Sequence, residues 1–137
     1  MHGQFLMDRE TKAFVCDRAQ DRCEYCRIHQ RYYTIRFHVE HIVAKQHRGS
    51  DDESNLALAC HFCNRHKGPN LTGIDPETGE LTALFDPRTD VWSDHFKAEQ
   101  GRIVGQTAVG RTTVYVLNMN DLERIRTRLE LEPEVFS

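Results

Sequence analysis

Between Thr34 and Ile42 the chain alternates, with Ile35, Phe37 and Val39 set between Arg36, His38 and Glu40. A period of two belongs to an extended strand with one covered face, so residues 34–42 are predicted as a strand. The polar stretch KQHRGSDDES (45–54) follows as a loop. The apolar run NLALAC (55–60) predicts a second short strand, and HFCNRHK (61–67) a helical turn or more. GPN at 68–70 breaks that helix. Upstream, DRETKAFVCDRAQ (8–20) reads as a short helix with Asp8 as its N-cap and Ala13, Phe14, Cys16 and Ala19 as its apolar side. CEYC (23–26) reads as a tight turn between the two.

The second half is less regular. GIDPETGELTALFDP has turn residues from Pro76 to Gly79 between apolar flanks, which predicts a hairpin. GRIVGQ and RTTVYVL are rich in β-branched residues and are predicted as strands separated by TAVG. NDLERIRTRLELEP predicts a helix capped by Asn120, with Glu123 three residues on, Leu122, Ile125 and Leu129 as its packing face, and Pro133 as its stop. No repeat, low-complexity tract or linker divides the chain. The expectation is one α+β domain over residues 1–137, with a core at 23–67 and a β-rich C-terminal extension at 68–137 that ends in a helix.

The 137 residues suffice for a modest core, and 28% charged with 39% hydrophobic residues is ordinary for a soluble globular protein. No apolar run reaches the length of a membrane span, so no membrane partner is expected. MHGQFLMDRE lacks the basic lead and apolar stretch of a secretory signal, which makes the expected location cytoplasmic. The net charge of −3 argues at first against a polyanionic partner. It is unevenly spread. Residues 22–67 carry eight basic against five acidic groups and six histidines, whereas residues 68–137 carry seven against twelve. A nucleic acid would therefore meet the middle segment, although a mixed solvated surface has the same composition.

Charge is outweighed by the cysteines. Cys23-x-x-Cys26 and Cys60-x-x-Cys63 supply two pairs of thiolates, each suited to one edge of a tetrahedron. Together they fit a structural Zn²⁺ with no open position; four unmetallated core thiols are the alternative. Cys16 is left over and is expected as a small buried apolar group. The 33 residues between the halves, Arg27 to Ala59, exceed the ~15–20 of a simple zinc ribbon, so the clip staples the two predicted strands.

Within the clip, Glu40 and His41 end the first strand, Asn55 opens the second and Asn64 follows the last cysteine. Convergence of these four would suit phosphodiester hydrolysis. An imidazole can take a proton from water near neutral pH. A carboxylate and an amide oxygen can hold a hard divalent cation. Neighbouring strand residues point to opposite faces, so Glu40 and His41 can share a substrate only where the strand ends or bulges. Asn55 could instead simply cap the turn after SDDES. His66 points to another side of the helix than Asn64, and His38, on the face of Glu40, reads as a surface histidine.

The stretch VEHIVAKQHRGSDDESNLALACHFCNRHKG, with CEYC upstream, resembles the HNH endonuclease family of the stand-alone bacterial type. The resemblance implies a small ββα-metal finger stapled by a four-cysteine zinc site. It implies Glu40 and Asn64 as ligands of a catalytic Mg²⁺, Mn²⁺ or similar ion, His41 as general base, and Asn55 as the residue that steadies the base and its loop. Glu stands where Asp is commoner, and Asn where the family often has His. The implied activity is DNA endonuclease, acting on double-stranded DNA and leaving 5′-phosphate and 3′-hydroxyl ends. One site cuts one strand, so nicking is expected from a monomer and a double-strand break from a homodimer or two encounters. Arg36, Lys45, His47, Arg48, Arg65 and Lys67 are the expected phosphate contacts. Downstream, GIDPETGEL, LFDPR, Trp92 and the His95–Phe96 pair resemble an extension found in such proteins. A zinc-stapled nucleic-acid-binding module with an inactive site and an RNA-directed nuclease are the rival readings.

Overall fold

The computed structural model describes residues 7–137. The first helix, α1 (Arg9–Arg18), starts where Asp8 accepts a hydrogen bond from the Thr11 amide at 2.8 Å. Its buried residues are Val15 and Cys16, with Ala19 just beyond, while Ala13 and Phe14 are exposed. Of the expected apolar side, Cys16 and Ala19 are therefore buried, whereas Val15 takes the place of Ala13 and Phe14. Cys16 is buried, as its small apolar character suggests.

The next three elements form a ββα unit. β1 (His38–His41) pairs antiparallel with β2 (Leu56–Ala59), with Glu40 opposite Ala57 and His41 opposite Leu56. The alternation at 34–37 does not become strand. β2 is four residues long, so only residues 38–41 find a ladder partner, and Ile35 remains exposed. All four residues of β2 are buried, which explains why its sequence is continuously apolar rather than alternating. Fully burying Leu56 and Leu58 contributes about 1.5–3 kcal/mol each. α2 (His61–Lys67) follows at once, with Cys60 as N-cap accepting from the Cys63 amide at 3.4 Å, and ends at Gly68.

The extension holds two more hairpins. β3 (Thr72–Ile74) pairs with β4 (Leu81–Ala83) across the expected turn. A short helix, α3 (Trp92–His95), leads into β5 (Phe96–Glu99), which pairs with β6 (Arg102–Gly105). RTTVYVL is not a strand: it lies in α4 (Ala108–Val116), capped by the Thr107 hydroxyl on the Gly110 amide. Tertiary contact overrides the β-branched propensity here. Thr112 and Thr113 are buried, and Thr113 Oγ1 donates back to the Val109 carbonyl at 2.7 Å, a bond available to a helical threonine. The helix approaches the end of α3, just before β5, so closely that a Cβ on Gly110 would lie 2.1 Å from the His95 carbonyl oxygen.

α5 (Leu122–Leu131) is capped by Asp121 rather than Asn120. Asn120 instead brackets Ile103, accepting from its amide and donating to its carbonyl, both at 2.9 Å. The expected packing face is also corrected. Leu122 and Leu129 are exposed, and the buried residues are Arg124 and Arg128. Pro133 ends the run and opens a last turn, α6 (Pro133–Phe136), whose Phe136 is buried. The fold is α+β. No helix among the described residues is long and apolar enough to cross a membrane.

The extension is bound to the ββα unit by polar contacts as well as packing. Glu24 receives the Leu58 amide at 2.9 Å and forms an ion pair with Arg88. The Trp92 indole donates to the Tyr25 carbonyl at 2.8 Å, and the Tyr25 ring meets Phe85 edge-on at 6.4 Å.

Candidate functional site

The four paired cysteines come together. Cys23, Cys26, Cys60 and Cys63 are buried, and their Sγ atoms lie within 4.8 Å of one another. A tetrahedral zinc with Zn–S bonds of about 2.3 Å has S–S edges of about 3.8 Å. The 3.7 Å between Cys26 and Cys60 matches that edge, so the donor set fits the ion in number, softness and spacing. The cluster also has a cation behind it that sequence reasoning missed. Arg124, 6% exposed, places a guanidinium nitrogen 3.0 Å from Cys63 Sγ and 3.7 Å from Cys60 Sγ, while its other nitrogen donates to the Leu117 and Asn118 carbonyls. Burial works against its charge, but the thiolates of Cys63, Cys26 and Cys60 outweigh burial and hold its pKa above the usual value. Four thiolates around one divalent ion carry a net charge of −2, which a buried guanidinium partly offsets.

Beside the clip, a shallow cleft of about 470 Å³ is bordered by Glu40, His41 and Asn64 together with His38, Lys45 and Arg65. Glu40 and His41 reach the same cleft although they are neighbours, because β1 ends at His41. The Glu40 side chain is 9% exposed. Its Oε2 accepts the Tyr25 hydroxyl at 3.0 Å and faces the Lys67 ammonium at 3.8 Å. Burial pushes its pKa up to about 7, against the opposing pull of Lys67 and the Tyr25 hydrogen bond. Both of these contacts fall on Oε2. Asn64 lies on α2, one residue after the clip's last cysteine, so the clip fixes its position.

His41 Nε2 lies 2.9 Å from Asp51 Oδ1, and Lys45 contacts both oxygens of the same carboxylate at 2.9 and 3.1 Å. The Lys45 ammonium, then the His41 ring, hold the Asp51 pKa below its ordinary value. Asn55 fixes the loop between these residues. Its Oδ1 accepts from the Val43 amide at 2.9 Å, and its Nδ2 donates to the Val43 and Ser50 carbonyls at 3.0 and 2.8 Å. The loop closes tightly enough that a Cβ on Gly49 would lie 1.7 Å from the Val43 oxygen. Asn55 thus holds the whole 43–50 turn rather than merely capping one end of it.

The expected phosphate contacts divide. Arg36, Lys45, His47, Arg48 and Arg65 are exposed. Lys67 is not: it is 2% exposed and its ammonium donates to the Ile42 carbonyl at 2.9 Å. On α2 it is one turn beyond Cys63, on the buried face, and that i, i+4 relation was the signal in the sequence. Lys67 therefore braces Glu40 from inside and cannot reach a phosphate. Tyr25 and Asp51 were also passed over. The signal for Tyr25 was an aromatic residue enclosed between the two cysteines of a CxxC pair; for Asp51 it was a carboxylate in the loop that follows the histidine. Nothing local marked Arg124, whose thiolate partners lie about sixty residues away in the chain. His38 sits with its Nε2 3.0 Å from His61 Nδ1 at the edge of the cleft.

Residues 23–70 match the family model described as HNH endonuclease. The Septu protein PtuB of Bacillus thuringiensis is 27% identical over 116 residues, which are 83% of this chain and 42% of that protein. The chain thus spans under half the length of this curated relative. No solved structure matches the chain.

Proposed function

Residues 23–70 belong to the HNH endonuclease family, and from that premise we propose that the chain is a divalent-metal-dependent DNA endonuclease that nicks one strand at each encounter. The observation that carries the reading is the meeting of Glu40, His41 and Asn64 at one cleft beside the cysteine cluster. A carboxylate oxygen and an amide oxygen are hard donors suited to Mg²⁺ or Mn²⁺. Glu40 would ligate through Oε1 and Asn64 through its side-chain oxygen. The chemistry such an ion would supply there is neutralisation of charge on the phosphoryl and leaving oxygens.

The remaining steps belong to the protein's own groups. With Asp51 accepting a hydrogen bond from His41 Nε2, the ring lone pair sits on Nδ1, the atom that would take a proton from the attacking water. The same carboxylate stabilises the imidazolium that forms. Asn55 keeps the turn that carries Asp51 in register with His41. Arg36, Lys45, His47, Arg48 and Arg65 provide exposed donors for the DNA backbone. A Zn²⁺ on the four cysteines is structural.

The test is supercoiled plasmid incubated with zinc-loaded protein and Mg²⁺ or Mn²⁺, with His41→Ala and EDTA as controls. Relaxation that requires both the divalent ion and His41 is expected. DNA binding without EDTA-sensitive relaxation would make the chain a binding module, and preferential cleavage of a competing RNA would redirect it to that substrate.

A further inference from the structure

We propose that the DNA strand runs from the cleft into a second, basic groove between α1 and the chain leading into β1, and that Arg9 and Lys12 are backbone-binding residues. This rests on the endonuclease reading and extends it to a part of the chain outside the ββα unit. The groove has a volume of about 620 Å³. Arg9, Lys12, Ala13 and Cys16 form its α1 wall, and Arg36, Phe37, His38 and Val39 form the other.

Three observations bear on the occupant. First, Arg9, Lys12, Ala13 and Cys16 are spaced i, i+3, i+4 and i+7, so they occupy one face of α1. That face is turned to Arg36, whose guanidinium lies 3.8 Å from Cys16 Sγ. Second, among the described residues the groove is lined by three cations and no carboxylate, in a chain of net charge −3. Asp8 is used as the helix cap, and neither it nor Glu10 lines the groove. The clefts of the extension differ: Glu77 stands with Arg102 and Arg111 in one, and Asp86 and Asp90 with Lys67 in another. Third, His38 and Val39 line both the basic groove and the cleft that holds Glu40 and His41, so the two adjoin along β1.

The scale agrees. His41 is three residue steps along β1 from His38, or about 10 Å at ~3.3 Å per step. At ~3.4 Å of duplex rise per phosphate on one strand, the groove meets the backbone roughly three nucleotides from the scissile bond. Arg9, Lys12 and Arg36 are all exposed and can reach it.

The experiment measures binding of a short fluorescein-labelled DNA duplex to the full-length, zinc-loaded protein over a salt series, alongside steady-state plasmid nicking. The variant is Arg9→Gln/Lys12→Gln. Both sites are exposed helix positions, and zinc content and circular dichroism confirm that the variant is folded. An Arg102→Gln/Arg126→Gln protein on the extension makes the same change in net charge. Each phosphate contact contributes about 0.9 to the slope of log affinity against log salt, so the groove variant should lose about 1.8. Its disadvantage relative to wild type should then shrink roughly tenfold between about 50 and 200 mM salt. The loss in nicking should fall on KM rather than kcat, and the extension variant should keep the wild-type slope. Arg9→Glu/Lys12→Glu should bind more weakly still. A wild-type protein that nicks plasmid while the groove variant keeps its slope and KM would overturn this proposal alone. An equal loss in the extension variant would do the same, because the effect would then be one of net charge. A wild-type protein that does not bind DNA would overturn both this proposal and the endonuclease reading.

Discussion

Replacing Tyr25 with Phe separates the structural clip from the proposed catalytic site by a single oxygen atom. Tyr25 lies between two cysteines of the cluster, is fully buried, and its hydroxyl donates to Glu40 Oε2 at 3.0 Å. The ring contact with Phe85 and the carbonyl that accepts the Trp92 indole are left intact by Tyr25→Phe. All four thiolates also remain, so zinc should be retained. What is lost is one of two grips on the carboxylate that would ligate the catalytic ion. A hydrogen bond to a charged acceptor contributes about 1.5–3 kcal/mol. At about 1.4 kcal/mol per tenfold, that is a range from about tenfold to about a hundredfold in metal affinity. Lys67 still faces Oε2, which places the expectation at the lower end, about tenfold. The assay is plasmid nicking as a function of Mn²⁺ concentration, with zinc content measured on the same sample. The half-saturating Mn²⁺ should rise about tenfold, and the rate should recover at saturation. An unchanged half-saturation with zinc intact would refute the reasoning, and so would loss of zinc, which would make Tyr25 a part of the clip's folding instead.

Asn55→Ala removes three hydrogen bonds from the 43–50 turn, so a loss of about 3 kcal/mol in chemical denaturation is expected, with faster amide exchange at Val43 and a reduced nicking rate. Arg124→Met deprives the cysteine cluster of its buried counter-charge; a chelator should strip zinc from this variant faster than from wild type, and breaking such a buried pair costs about 3–5 kcal/mol in stability. The Arg111 guanidinium, in a two-pronged pair with Asp75 at 2.8 and 3.2 Å, holds that carboxyl at about 2, below its ordinary value. The folded-state pKa is depressed, so the pair's stabilisation is complete above about pH 4 and is lost as pH falls towards 2. Acid unfolding should be steeper across that window in wild type than in Arg111→Gln.

The parts of the fold legible in the sequence are those encoded by short-range chemistry. Two CxxC pairs gave the clip, an apolar run gave β2, Asp8 gave the start of α1, and the Pro76–Gly79 turn gave the β3–β4 hairpin. The backbone positions of the candidate residues were legible for the same reason: Glu40 and His41 close β1, Asn55 immediately precedes β2, and Asn64 follows the second CxxC pair inside α2. Failures arise where a distant partner decides. RTTVYVL has strand composition, but the hairpin packed against it makes it a helix. Leu122 and Leu129 look like a core face, yet thiolates and carbonyls from elsewhere draw Arg124 and Arg128 inward and turn the leucines to solvent. Lys67 looks like a surface cation in the sequence, but Glu40 and the Ile42 carbonyl supply its partners inside the fold. In each case the apolar or charged character of the residue is plain locally, and its direction is set by a neighbour far along the chain.

Cleavage by the proposed route requires Glu40 and Asn64 to hold one ion in the cleft. Anomalous diffraction from crystals of the zinc-loaded protein soaked in Mn²⁺, recorded at the manganese and zinc edges, tests this directly. It should give a zinc peak among the four cysteines and a separate manganese peak bonded to Glu40 and to Asn64. Manganese bound elsewhere, at Asp51 for instance, with neither Glu40 nor Asn64 in its coordination shell, would contradict it.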